Sequence, residues 1–281
     1  MNWLTEPLRY GFMVDALVVG AVIATVCAVL SCYLVLKGWS LMGDAIAHAV
    51  LPGIVIAYAV GAPLVLGAFG SGLLCAVATG WIKANSRVKE DTVMGVVFTG
   101  LFAFGLVLFT KIETDLHLDH ILFGNILGID AREKLETLLV AGVTLGVVLA
   151  LRKDLMLFCF DPGQARAIGL RTKLLYYALL SLLAATIVAS LQAVGIILVI
   201  AMLVTPGCTG YLLSDRFGRM MAIAVGTAVA STVAGIYVSF YRDASTAACI
   251  VLAQAAVFAV ALVFAPKHGL LTQRRRAAQA A

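Results

Sequence analysis

Two residues carry the chemistry of this sequence. Asp44 and His48 stand four apart in the stretch Gly38–Gly61, which holds no other charged residue. On a helix that spacing places both on one face, with Cβ atoms about 5–6 Å apart. A carboxylate oxygen and an imidazole nitrogen can then share one cation. Pro52 lies one turn further along the same face. Proline has no N–H, so the His48 carbonyl is expected to lose its helical partner and add a backbone oxygen beside the pair. Gly43 and Gly53 flank the segment and permit irregular backbone, which is how membrane ion sites are often built. Carboxylate and carbonyl oxygen with imidazole suit Mn²⁺, Fe²⁺ or Zn²⁺ better than Cu⁺. The competing reading is an Asp–His hydrogen bond that ties two helices together. Two side chains do not complete a coordination shell, so further ligands must come from neighbouring helices, water or a second subunit.

The elements that hold this pair are membrane helices. Of 281 residues, 62% are hydrophobic and 12% charged, about half the charge of an average soluble domain. The charges are clustered and leave repeated uncharged runs long enough to cross a hydrocarbon core of about 30 Å. Backbone groups in lipid must be satisfied internally, so these runs are helices. Spans are expected near 13–36, 39–60, 63–82, 92–110, 135–151, 174–192, 194–213, 220–240 and 244–265. One of these nine is short or re-entrant in the alternative count, which leaves eight to nine. Leu174–Leu213 is uncharged and too long for one span, and Gln192–Gly195 is its expected break. Gly20, Gly70, Gly72, Gly100, Gly105, Gly142, Gly146, Gly226 and Gly235 lie inside spans and are expected to let helices approach closely. The six scattered cysteines read as small packing residues.

Basic residues gather in four segments: Lys83 to Lys89, Arg152 to Lys173, Arg216 with Arg219, and Lys267 to Arg276. These alternate so as to share one side, which is cytoplasmic by the positive-inside rule. Nine spans put the N-terminus outside; eight put it inside. The segment Asn2–Phe12, with Glu6, Pro7 and Arg9, reads as mature sequence rather than a cleaved signal. The loop 111–133 is acidic, and its Asp115, His117, Asp119 and His120 read as solvated or as metal-collecting. Residues 1–271 form one transmembrane domain, and 272–281 are a basic cytoplasmic tail, expected to be disordered.

In the cytoplasmic loop 152–173, Asp161-Pro162-Gly163 can cap and start a helix that Gly169 ends. A helix over Gly163–Ile168 follows, either an interfacial loop helix or a docking helix for a soluble partner. No metalloprotease, nucleophile-elbow or phosphate-loop motif is present. The chain therefore reads as no enzyme, and any ATP hydrolysis belongs elsewhere.

Four stretches together resemble the permease subunits of bacterial metal-ion ABC importers, the manganese/iron/zinc branch known as ABC-3. They are Gly43–Gly53 (the D-x-x-x-H-x-x-L-P-G pattern), Phe160–Leu170, Gly195–Met220 and Phe264–Leu271, within a match over about 5–271. The last two look most like the manganese/iron subgroup. Cys208 stands where relatives often carry Ala. The resemblance implies an all-α bundle of eight to nine transmembrane helices with a short cytoplasmic coupling helix, in the bacterial inner membrane. It implies that Asp44 and His48 contact the transported metal, Mn²⁺ or Fe²⁺ before Zn²⁺, with Pro52 and Gly53 shaping the gate beside them. Asp161, Pro162, Gln164, Ala165 and Gly169 would couple to an ATP-binding ABC subunit. The other partners implied are an extracytoplasmic metal-binding protein, a second permease (a copy or a paralogue) and membrane lipid, with no nucleic acid and no permanently bound cofactor. The alternatives are a proton-coupled secondary metal transporter and a zinc-specific ABC permease.

Overall fold

The structure is a computed structural model that describes residues 6–112, 124, 126–265, 269 and 272. The expected sites at Asp115, His117, Asp119 and His120, and the tail 273–281, lie outside the described residues.

Regular structure among the described residues is helical throughout. The α-helices are α1 (Gly11–Lys37), α2 (Met42–Ala49), α3 (Leu51–Val60), α4 (Leu64–Asn85), α5 (Glu90–Lys111), α6 (Ala131–Ala150), α7 (Arg152–Phe160), α8 (Pro162–Ala167), α9 (Thr172–Leu213), α10 (Phe217–Arg242) and α11 (Thr246–Phe264). Gly38 stops α1 in a left-handed conformation at φ 75°, where its N–H reaches the carbonyls of Leu34 and Val35. Glycine adopts that φ without the Cβ penalty of other residues.

Among the described residues, seven helices or helix pairs are long and apolar enough to cross a membrane, with α2 and α3 joined as one. The α6–α7 pair, bent by 73°, adds an eighth. The 42 residues of α9 would run about 63 Å if straight, twice the hydrocarbon thickness. Gly195 breaks α9 with φ 78° and ψ 165°. Side-chain packing shows that the chain doubles back there. Gly43 of α2 packs on Leu203, while Gly72 of α4 packs on both Ile46 of α2 and Ala184. A straight helix would hold Ala184 and Leu203 about 28 Å apart. The two halves of α9 are thus separate crossings, and the expected break in Gln192–Gly195 falls at Gly195.

With the two halves of α9 counted apart, the described residues offer up to nine crossings, and these sort the charges to two ends. At the basic end Lys37 lies over the Phe158 ring at 4.3 Å, Tyr33 meets Phe217 at 5.1 Å, and Trp39 meets Tyr176 at 5.1 Å. At the acidic end Lys134 pairs with Asp15, and Tyr10 packs against Phe240. The N-terminal end of α1 therefore lies on the acidic side. In the bundle α1 is central, with 72% of its apolar window buried, and α5 is peripheral at 17%.

The glycine expectation holds only in part. A Cβ on Gly20, Gly72, Gly105 or Gly235 would press on a neighbouring helix, whereas Gly70, Gly100, Gly142, Gly146 and Gly226 meet nothing within 4 Å. Which face a glycine presents depends on the helix's rotation, and composition does not encode that.

Candidate metal centre

Asp44 lies in the first turn of α2 and His48 in its last. The positive end of the helix dipole favours the carboxylate and the negative end the imidazole. His48 Nε2 stands 3.2 Å from Asp44 Oδ1, and the two side chains are 30% and 33% exposed. A cation about 2.1 Å from each atom would see them at roughly 100°, an angle open to both tetrahedral and octahedral shells. The separation of the two atoms therefore suits two adjacent ligands on one ion. Among the described residues no third His, Cys, Asp or Glu joins them.

The helix is interrupted at Val50, between α2 and α3, as the proline requires. Pro52 gives the His48 carbonyl no N–H four residues on, as expected, and the Val50 N–H is the backbone group turned toward that oxygen. Pro52 enters near the start of α3, where its missing N–H costs little. The Ala49 carbonyl accepts from the Ser71 hydroxyl of α4 at 2.6 Å. The side-chain donors this segment offers a metal are Asp44 and His48.

Pro52 and Gly53 shape the wall beyond the pair. They line an apolar cavity of about 470 Å³ between α3, α4 and α5, with Ile56, Leu66, Leu101 and Phe104. At Gly53 the backbones of α3 and α4 touch, against Gly67. Sequence reasoning missed two further neighbours of the pair. Phe98 of α5 stacks on the His48 ring at 6.2 Å, tilted by 28°. Phe102, one turn along, meets it edge-on at 5.4 Å and 74°. A phenylalanine in an apolar span has no contrast with its surroundings, so nothing in the sequence marks either one.

At the basic face the predicted short helix is present as α8, starting at Pro162 rather than Gly163. Asp161 caps it: its carboxylate accepts from the N–H groups of Gly163 at 2.8 Å and Gln164 at 3.0 Å. Gly169 ends it at φ 87°. Gln164 is exposed, as is Ile168, while Ala165 is fully buried. Ala165 therefore holds α8 on the bundle, and Gln164 with Ile168 faces outward.

A many-crossing helical bundle with an Asp–His pair at a helix break, and a small capped helix on its basic face, fits the membrane subunit of a transporter. The chain belongs to the ABC 3 transport family, whose pattern matches residues 9–265. It is the membrane permease of such a system, and ATP hydrolysis belongs to a separate subunit. The chain is 61% identical over 261 residues to the chelated iron transport system membrane protein YfeD of Yersinia pestis, covering 93% of this chain and 88% of that one. It is 56% identical over 275 residues to the manganese transport system membrane protein MntB of Synechocystis, covering 98% and 90%. Its fold matches a solved chain of PsaBC from Streptococcus pneumoniae in complex with Fab, with a TM-score of 0.86 and 32% identity over 97% of this chain and 99% of that one.

Proposed function

We propose that this chain is the permease of an ATP-driven importer of divalent transition metal ions, Mn²⁺ and Fe²⁺ ahead of Zn²⁺, and that the ion passes Asp44 and His48. The observation that carries the reading is the 3.2 Å approach of His48 Nε2 and Asp44 Oδ1 within a membrane segment. A carboxylate inside the bilayer is costly, by about 2.5–3.5 kcal/mol on insertion scales, and is retained where it does work. The names of the relatives, for iron and manganese transport, support the metals. The basic end is cytoplasmic by the positive-inside rule, in the bacterial inner membrane.

Metal reaches the acidic face from an extracytoplasmic binding protein and enters a path between two permeases, the second a copy or a paralogue. ATP draws the two ATPase subunits together. Their motion reaches the bundle through α8, by way of Asp161, Pro162, Gln164, Ala165 and Gly169. The path then closes outside and opens inside by rigid-body movement. Two side-chain ligands suit transit, because a transport site must also release its ion.

The test is metal uptake in cells lacking their own manganese, iron and zinc importers, with this chain expressed alongside its ATPase and binding protein. Asp44→Ala and His48→Ala are each expected to cut Mn²⁺ or Fe²⁺ uptake by at least about tenfold at equal membrane expression. Undiminished uptake in both variants would return the pair to a helix-tying hydrogen bond.

A further inference from the structure

We infer that Phe98 and Phe102 of α5 are positioning residues for His48, holding its ring so that Nε2 points to the ion shared with Asp44. The inference rests on the reading of Asp44 and His48 as the metal pair. Two four-residue spacings face one another: Asp44 and His48 on α2, Phe98 and Phe102 on α5. The imidazole is stacked on one ring, 28° from parallel, and meets the other at 74°.

The imidazole torsion about Cβ–Cγ is soft, so packing must set it. One ring nearly parallel to the imidazole at 6.2 Å and a second nearly perpendicular to it at 5.4 Å restrict its rotation on two sides. Metal-binding histidines are usually oriented through their other ring nitrogen, by a carboxylate or carbonyl. Among the described residues, the polar contact of His48 is the 3.2 Å approach of Nε2 to Asp44 Oδ1. The aromatic walls take the orienting part. Phe98 also packs against the buried core, whereas Phe102 is partly exposed and lies outside that cluster. The Phe102 ring is therefore available for the His48 contact, and it is the cleaner residue to test.

The experiment uses the assembled transporter in lipid nanodiscs and proteoliposomes, with Mn²⁺ alone as the probe. Mn²⁺ affinity is read by electron paramagnetic resonance, metal moved per ATP hydrolysed by flux, and thermal stability alongside. Phe102→Leu, which keeps apolar bulk and removes the ring, is expected to weaken Mn²⁺ binding about tenfold, the usual scale for an orienting partner. Metal moved per ATP should fall with it while the melting temperature holds. Phe102→Tyr should return both to within about twofold of wild type. Wild-type affinity in Phe102→Leu overturns the inference. So does a loss of affinity that tracks a loss of stability and is not restored by Tyr. Asp44→Ala is run in parallel. If it leaves Mn²⁺ binding intact, the metal site itself is misassigned and the positioning role falls with it. If it abolishes binding while Phe102→Leu does not, only the positioning role fails.

Discussion

The backbone of Gly53 in α3 lies directly on that of Gly67 in α4. A Cβ built on Gly53 would come within 2.6 Å of the Gly67 carbonyl carbon, and one on Gly67 within 2.9 Å of the Gly53 carbonyl carbon. The contact sets the spacing of α3 and α4 one turn beyond His48, and so the shape of the wall beside Asp44 and His48. Membrane helices gain most from such close approach, because lipid supplies no hydrophobic drive between them.

Gly53→Ala and Gly67→Ala should each destabilise the solubilised protein by about 1–3 kcal/mol, since backbone offers no side chain that can move aside. Uptake should fall with them. Gly70→Ala, on the same helix but with nothing within 4 Å, should be neutral or slightly stabilising by helix propensity. Thermal unfolding in detergent separates the three, and equal melting temperatures for Gly53→Ala and Gly70→Ala would count against the contact.

Gly195 has φ 78° and ψ 165°, a region that is essentially glycine-only. Its backbone also lies against Gly124. Gly195→Ala should cost about 1–3 kcal/mol and disturb the turn between the two halves of α9. The readout is accessibility of single cysteines placed on either side of the turn. Unchanged accessibility and stability together would contradict the doubling-back geometry.

Asp161 stands at the start of α8 with two backbone N–H groups on one carboxylate oxygen. Asp161→Ala should cost α8 about 1 kcal/mol, and Asp161→Asn much less, because Asn also caps. In proteoliposomes the Ala variant should lower metal moved per ATP more than it lowers ATP hydrolysis. A parallel fall in both would mean that α8 only binds the ATPase.

Gln254 in α11 is 3% exposed, and neither its side-chain nitrogen nor its oxygen finds a partner among the described residues. An unpaired buried amide costs about 1–3 kcal/mol. Gln254→Leu should therefore raise the melting temperature, with uptake kept. Lower stability would show that the amide makes hydrogen bonds in the membrane.

The Asp44–His48 pair was legible because a charge inside an apolar run stands out against its surroundings and is costly to place there. The break at Gly195 was legible because the uncharged run around it exceeds any bilayer. The capped α8 was legible because Asp-Pro-Gly signals act within a few residues. The loss of the His48 carbonyl's helical partner was legible as well, because proline lacks the N–H that would reach it.

The sequence by itself determined the membrane class, a range of eight to nine crossings, the Asp44–His48 pair and the short capped helix on the basic face. Each follows from local length, charge or spacing. Only the tertiary structure decided that Phe98 and Phe102 enclose the imidazole, that Gly53 and not Gly70 is a contact, and that Ala165 faces inward while Gln164 faces out. These depend on how each helix is rotated about its axis and on which neighbour it meets. In a chain that is apolar on nearly every face, side-chain fit fixes that rotation, because hydrophobic contrast is too weak to do so.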